Sequence, residues 1–172
     1  MLKAIFWFLY MEKISVKYGD LIRKMLNCVR PALPLSPSTV YREANLDIRP
    51  FVDQMIEESL VEPSEIYGIE HLEALFAKAQ SGSACLLLVE HYSNFDLPVL
   101  SYLLRKNGPA GQEIAETLIA VAGMKLDVEC PVVASFAEAY RRIVISPRRA
   151  FHTKTHSNFV QSRAINLAAA KK

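Results

Sequence analysis

Apolar residues along the first eighty positions recur at helical spacing. Ile14, Tyr18, Leu21, Ile22, Met25, Leu26 and Val29 follow one another at steps of mostly three or four, so residues 3–29 are expected to form one or two helices that Arg30-Pro31 stops. Pro31 to Ser38 is rich in Pro and Ser and reads as a loop. Asp47 and Pro50 then open a second helical pattern, Phe51, Val52, Met55, Ile56 and Leu60, which ends near Pro63. A third follows Gly68, with Leu72, Leu75, Phe76 and Ala79 on one face and Gly82 as its stop. Residues 1–83 are therefore expected to be a helical module.

The period then changes. Cys85 to Val89 is a short continuous apolar run, the pattern of a strand buried on both faces of a parallel sheet. Leu97 to Lys106 reads as a helix stopped by Asn107-Gly108-Pro109, and Leu118 to Ala122 as a second strand closed by Gly123. Pro131 to Tyr140 reads as a helix, Arg142 to Ser146 as a third strand ending at Pro147, and the remainder as a loop and a final helix. This alternation predicts an α/β fold: an N-terminal helical bundle, then a partial, mostly parallel sheet with crossover helices over residues 84–172. Ligands of such sheets gather at the carboxyl ends of strands. His91 to Asp96, Met124-Lys125 and Arg148-Arg149 should then converge on one crevice.

At 172 residues and 51% hydrophobic the chain is long and apolar enough for an ordinary core, which argues against disorder. The net charge of +2 conceals an asymmetry: 11 Lys and Arg face 15 Asp and Glu up to Met124, but 9 face 3 from Lys125 onward. A basic end of this kind suits an anionic partner such as a phosphorylated metabolite, a phosphopantetheine carrier or a lipid headgroup. Nucleic acid is disfavoured, because no recognition motif and few base-stacking aromatics accompany the patch. Cys28, Cys85 and Cys130 are odd in number and widely spaced, so neither a disulfide framework nor a zinc knuckle is indicated and a reducing compartment fits. The run Ile5 to Met11 is too short to span a bilayer and lacks a cleavage site. An amphipathic helix packed on the protein is expected there, with peripheral membrane contact as the rival.

The chemistry concentrates in Glu90-His-Tyr-Ser-Asn-Phe-Asp-Leu-Pro98. His91 at a strand tip, with a carboxylate about one turn further on, has the makings of a base whose second ring nitrogen is held by Asp96. The alternative is that Asp96 merely caps the helix beginning at Leu97-Pro98. No GxSxG elbow accompanies the pair, so a serine nucleophile of that kind is not indicated. Backbone N–H groups of Tyr92 to Phe95 are candidates for an oxyanion or phosphate. His152 and His156 lie four apart, but no Glu or third ligand completes a metal site, so exposed histidines are the reading and no metal or cofactor is expected.

The block His91-Tyr-Ser-Asn-Phe-Asp96 resembles the HxxxxD motif of glycerolipid acyltransferases. Val121-Ala-Gly-Met-Lys-Leu126 and Arg142-Ile-Val-Ile-Ser-Pro-Arg-Arg149 look like the soluble, plastid-type glycerol-3-phosphate 1-O-acyltransferases, whose helical bundle before an α/β domain matches the order read here. The resemblance implies that His91 takes the proton of the glycerol hydroxyl, that Asp96 orients it, and that Ser93, Asn94, Lys125, Arg148 and Arg149 contact substrate. Arg148 and Arg149 align with a basic pair that holds the glycerol phosphate, where the family carries Lys and His. A solvated charge cluster is the alternative for that pair. It further implies glycerol 3-phosphate and acyl-ACP or acyl-CoA as substrates, in a cytoplasmic or plastid-stroma-like soluble compartment with possible membrane association. Family members continue into another strand with a Gly- and Arg-containing phosphate motif, so the chain is expected to be C-terminally incomplete. A catalytically incompetent remnant, serving as a binding or interaction module through its N-terminal helices, is the competing expectation.

Overall fold

The computed structural model describes residues 14–31, 33–127, 130–146 and 156–172. Helices α1 (Ile14–Lys17) and α2 (Gly19–Asn27) occupy the described part of the first helical pattern, and α2 turns Ile22 and Met25 inward. Helix α3 (Arg49–Glu57) takes Pro50 in its first turn, where no intrahelical N–H is required, and buries Val52, Met55 and Ile56. Gly68, at φ 72°, turns the chain into α4 (Ile69–Gln80). Helix α5 runs Asp96–Lys106 and α7 runs Pro131–Glu138, close to the expected spans. The last helix, α8, runs His156–Ala169.

Strands β2 (Ala120–Gly123) and β3 (Arg142–Ile145) pair in parallel, with Ala120 opposite Arg142 and Gly123 opposite Ile145. A 3-10 turn, Met124–Asp127, and α7 lie between them in sequence. Strand β1, only Tyr41–Arg42, lies antiparallel on the other side of β3. The described sheet therefore has the order β1-β3-β2 and is mixed, with β2 at an edge.

Three elements differ from the expectation. Cys85 to Val89 enters no ladder, and its apolar side chains are open to solvent, Leu88 being 84% exposed. An apolar run signals that side chains are suited to burial, but a strand also needs a neighbour for its backbone, and only the first is written locally. Asn107-Gly108-Pro109 ends α5 and also opens another helix, α6 (Gly108–Thr117): Gly108, at φ 76°, reverses the chain and Pro109 sits in the first turn. The third is β1, which falls between the Pro31 to Ser38 loop and the second helical pattern, within the module expected to carry no strand.

The main core joins α2, α3, α5 and α7 through Ile22, Met25, Val52, Met55, Tyr102 and Phe136. Two sets of polar contacts tie its elements together. Asn45 donates through Nδ2 to the Cys28 carbonyl at 2.9 Å and to the Glu138 carboxylate at 2.8 Å, and its own N–H meets the Glu138 carbonyl at 2.8 Å. Arg105 grips Asp53 through two bonds of 2.6 Å, linking α5 to α3. A second cluster holds α8 to the sheet. There the Asn166 amide mimics a strand edge: it accepts from the Ser146 N–H at 2.8 Å and donates to the Ser146 carbonyl at 2.9 Å.

Candidate active site

Residues 91–95 form a tight loop ahead of α5, and the carboxylate of the first helical residue, Asp96, folds back over it. Oδ2 of Asp96 lies 2.8 Å from Nδ1 of His91, 2.8 Å from the Tyr92 N–H and 3.0 Å from the Ser93 N–H. Oδ1 receives the Ser93 hydroxyl at 3.1 Å and shares the Ser93 N–H at 3.1 Å. An ionised carboxylate only accepts, so the ring nitrogen facing it carries the proton, and Nε2 of the neutral ring keeps its lone pair. The geometry joins a solvent-facing imidazole, 77% exposed, to a carboxylate 22% exposed.

The electrostatics of Asp96 follow from these bonds. Desolvation pushes its carboxyl up, but the Ser93 N–H, the His91 ring, the Tyr92 N–H and the Ser93 hydroxyl together outweigh that and hold it below the ordinary carboxylate value. Tyr92 moves the other way: its hydrogen bond to Glu90, then desolvation and the Asp96 charge, raise the phenol.

Two expectations are corrected here. Asp96 is not a cap: Phe95 occupies the cap position with no side-chain bond, and the Asp96 carboxylate serves the preceding loop. Of the N–H groups expected to face an oxyanion, those of Tyr92 and Ser93 bond Asp96 and that of Phe95 donates to the Ser93 hydroxyl oxygen at 3.1 Å, which leaves the Asn94 N–H as the candidate.

His91, Ser93, Asn94 and Asp96 line a cavity of about 980 Å³ whose walls are largely apolar, including Leu72, Phe76, Leu100 and Phe136. Both the unpaired run Cys85 to Val89 and strand β2 border it. Asn94 also reaches a smaller space of about 210 Å³ with Leu126, Cys130 and Val133. Lys125 lies on the 3-10 turn after β2 and is exposed; it is not part of the cavity wall. Arg148 and Arg149, His152 and the run Ile5 to Met11 lie outside the described residues. His156 begins α8. Among the described residues no group of His, Cys, Asp or Glu could hold a metal ion, and no helix is long and apolar enough to cross a membrane.

Arg142, the first residue of β3 as the sequence indicated, also lies in the cavity wall, buried, with Nη1 donating to the Ala137 carbonyl at 3.1 Å. Its alternation with Val144 on β3 was the available signal, because both positions of that face are buried. No protein-family model, no curated protein and no solved structure matches this chain.

Proposed function

We propose that the chain is an acyltransferase that moves a fatty acyl group from an acyl thioester, acyl-ACP or acyl-CoA, to the sn-1 hydroxyl of glycerol 3-phosphate. The observation that carries this reading is the 2.8 Å contact between His91 Nδ1 and Asp96 Oδ2 beside a large apolar cavity. The resemblance of residues 91–96, 121–126 and 142–149 to the plastid-type enzymes supplies the substrate class. It also supplies the finer architecture, a mostly parallel sheet of which β2, α7 and β3 form one crossover unit.

Nε2 of His91 takes the proton of the acceptor hydroxyl as its oxygen attacks the thioester carbonyl. The C–O bond forms, the tetrahedral intermediate collapses with cleavage of the C–S bond, and the imidazolium returns the proton to the departing thiolate. Asp96 fixes the ring's tautomer and stabilises the imidazolium. Arg148 and Arg149 hold the glycerol phosphate, and the apolar cavity takes the acyl chain. The reaction runs in a soluble compartment, with peripheral contact to the membrane that receives the product.

Acyl transfer from a radiolabelled thioester to glycerol 3-phosphate tests the reading. His91→Ala should lower turnover by at least about 10²–10⁴-fold, and an undiminished His91→Ala protein would refute it. Arg148→Ala should raise KM for glycerol 3-phosphate far more than for the donor; equal effects remove the phosphate role. A second reading, a binding module without turnover, draws on the solvent-exposed apolar side chains of Leu86 to Val89. Absence of any His91-dependent product would favour it.

A further inference from the structure

We propose that Ser93 is a positioning residue, acting on His91 through Asp96 and making no contact with substrate. The expected substrate role requires a hydroxyl free to donate, and this one is committed. Its proton lies toward Asp96 Oδ1 at 3.1 Å, while its oxygen accepts the Phe95 N–H at 3.1 Å.

The reason such an anchor matters is rotational. The terminal torsion of an aspartate is broad and shallow, so a carboxylate pinned through one oxygen can turn about its Cβ–Cγ bond. Here Oδ2 alone meets His91 and the Tyr92 N–H, and Oδ1 meets only groups of Ser93. The Ser93 hydroxyl, alongside the Ser93 N–H that Oδ1 shares with Oδ2, therefore holds the second oxygen in the orientation that aims the first at the imidazole. Through Phe95, the residue immediately before α5, it also ties the loop to the helix start.

The tautomer of His91 reads this out directly, and the kinetic arm alone rests on the acyltransferase reading. Protein with 15N-labelled histidine is compared by NMR at about pH 9, where an ordinary imidazole is neutral, as wild type, Ser93→Ala and Ser93→Thr; His91→Gln assigns the signal. Wild type should show the Nδ1–H form in excess. Ser93→Ala should move His91 toward the mixture of tautomers of a free imidazole, and Ser93→Thr, which keeps the hydroxyl, should restore the excess. In the transfer assay Ser93→Ala should lower kcat about tenfold with the acceptor KM little changed, and Thr should rescue it. An unchanged tautomer in a folded Ser93→Ala protein overturns the proposal, as does a raised acceptor KM with kcat intact. If His91→Gln leaves turnover untouched while the tautomer shift holds, the acyltransferase reading fails and the positioning role stands.

Discussion

Asp96 gathers bonds from four donor groups, the His91 ring, two backbone N–H groups and a hydroxyl, and that concentration governs how the molecule responds to acid. Its carboxyl is held below the ordinary value in the folded chain, so the folded state binds this proton less readily than the unfolded one. The stability it contributes is therefore complete above the unfolded value, about pH 4, and is lost as pH falls through the depressed folded value. Asp96→Asn should accordingly be less stable than wild type at neutral pH, and the gap measured by urea unfolding should close below about pH 4. A gap constant across that range would mean that the carboxylate charge contributes nothing. The pairing of His91 with Asp96 was legible in the sequence because five positions and a helix start suffice to bring them together. The commitment of Ser93 was not, because a hydroxyl's partner depends on which way a neighbouring carboxylate folds.

At the scale of elements, α5 and α6 approach so closely that Gly111 has no room for a side chain: an added Cβ would collide with the Leu104 carbonyl. Gly in a helix interior is ordinarily worse than Ala by about 1 kcal/mol, so replacing it usually helps. Gly111→Ala should do the opposite and destabilise by about 1–3 kcal/mol, since backbone must shift to accept it. Gly19, the first residue of α2, has open space around it and should tolerate Ala without loss. Chemical denaturation of the two variants decides whether the contrast holds. Helix α6 escapes the pattern for a different reason: Gly108 reads as a stop when its left-handed turn in fact joins two helices. Strands β2 and β3 were legible from short β-branched runs ending at Gly or Pro. Cys85 to Val89 is as apolar, though Leu-rich, and enters no ladder, because strand pairing is decided by what lies alongside and not by the run itself. An open β2 edge beside this run, with Val121 62% exposed, is a template for unwanted pairing. Val121→Lys should reduce self-association in light scattering at unchanged helix content; unaltered association would place the sticky surface elsewhere.

Over the whole molecule, the main core crosses the division suggested by the change of pattern near residue 83. Met25 and Met55 from the early helices share it with Tyr102 and Phe136, and Glu138 at the end of α7 is bonded to both Asn45 and the Arg30 N–H. Helical periodicity identifies which residues face inward but not which other helix they meet, so this shared packing could not be read from the chain. It has a consequence for folding. If residues 1–83 formed a core of their own, truncating a side chain in α2 would weaken that half and leave α7 untouched. Met25 is fully buried in the shared cluster, so Met25→Ala should cost about 2–5 kcal/mol and should be felt on both sides. Amide hydrogen exchange separates the cases: protection in α3 and in α7 should fall by the same free energy, as members of one cooperative unit do. A fall confined to α2 and α3 would show that the early helices unfold independently, and that the contacts across the division are too weak to couple them.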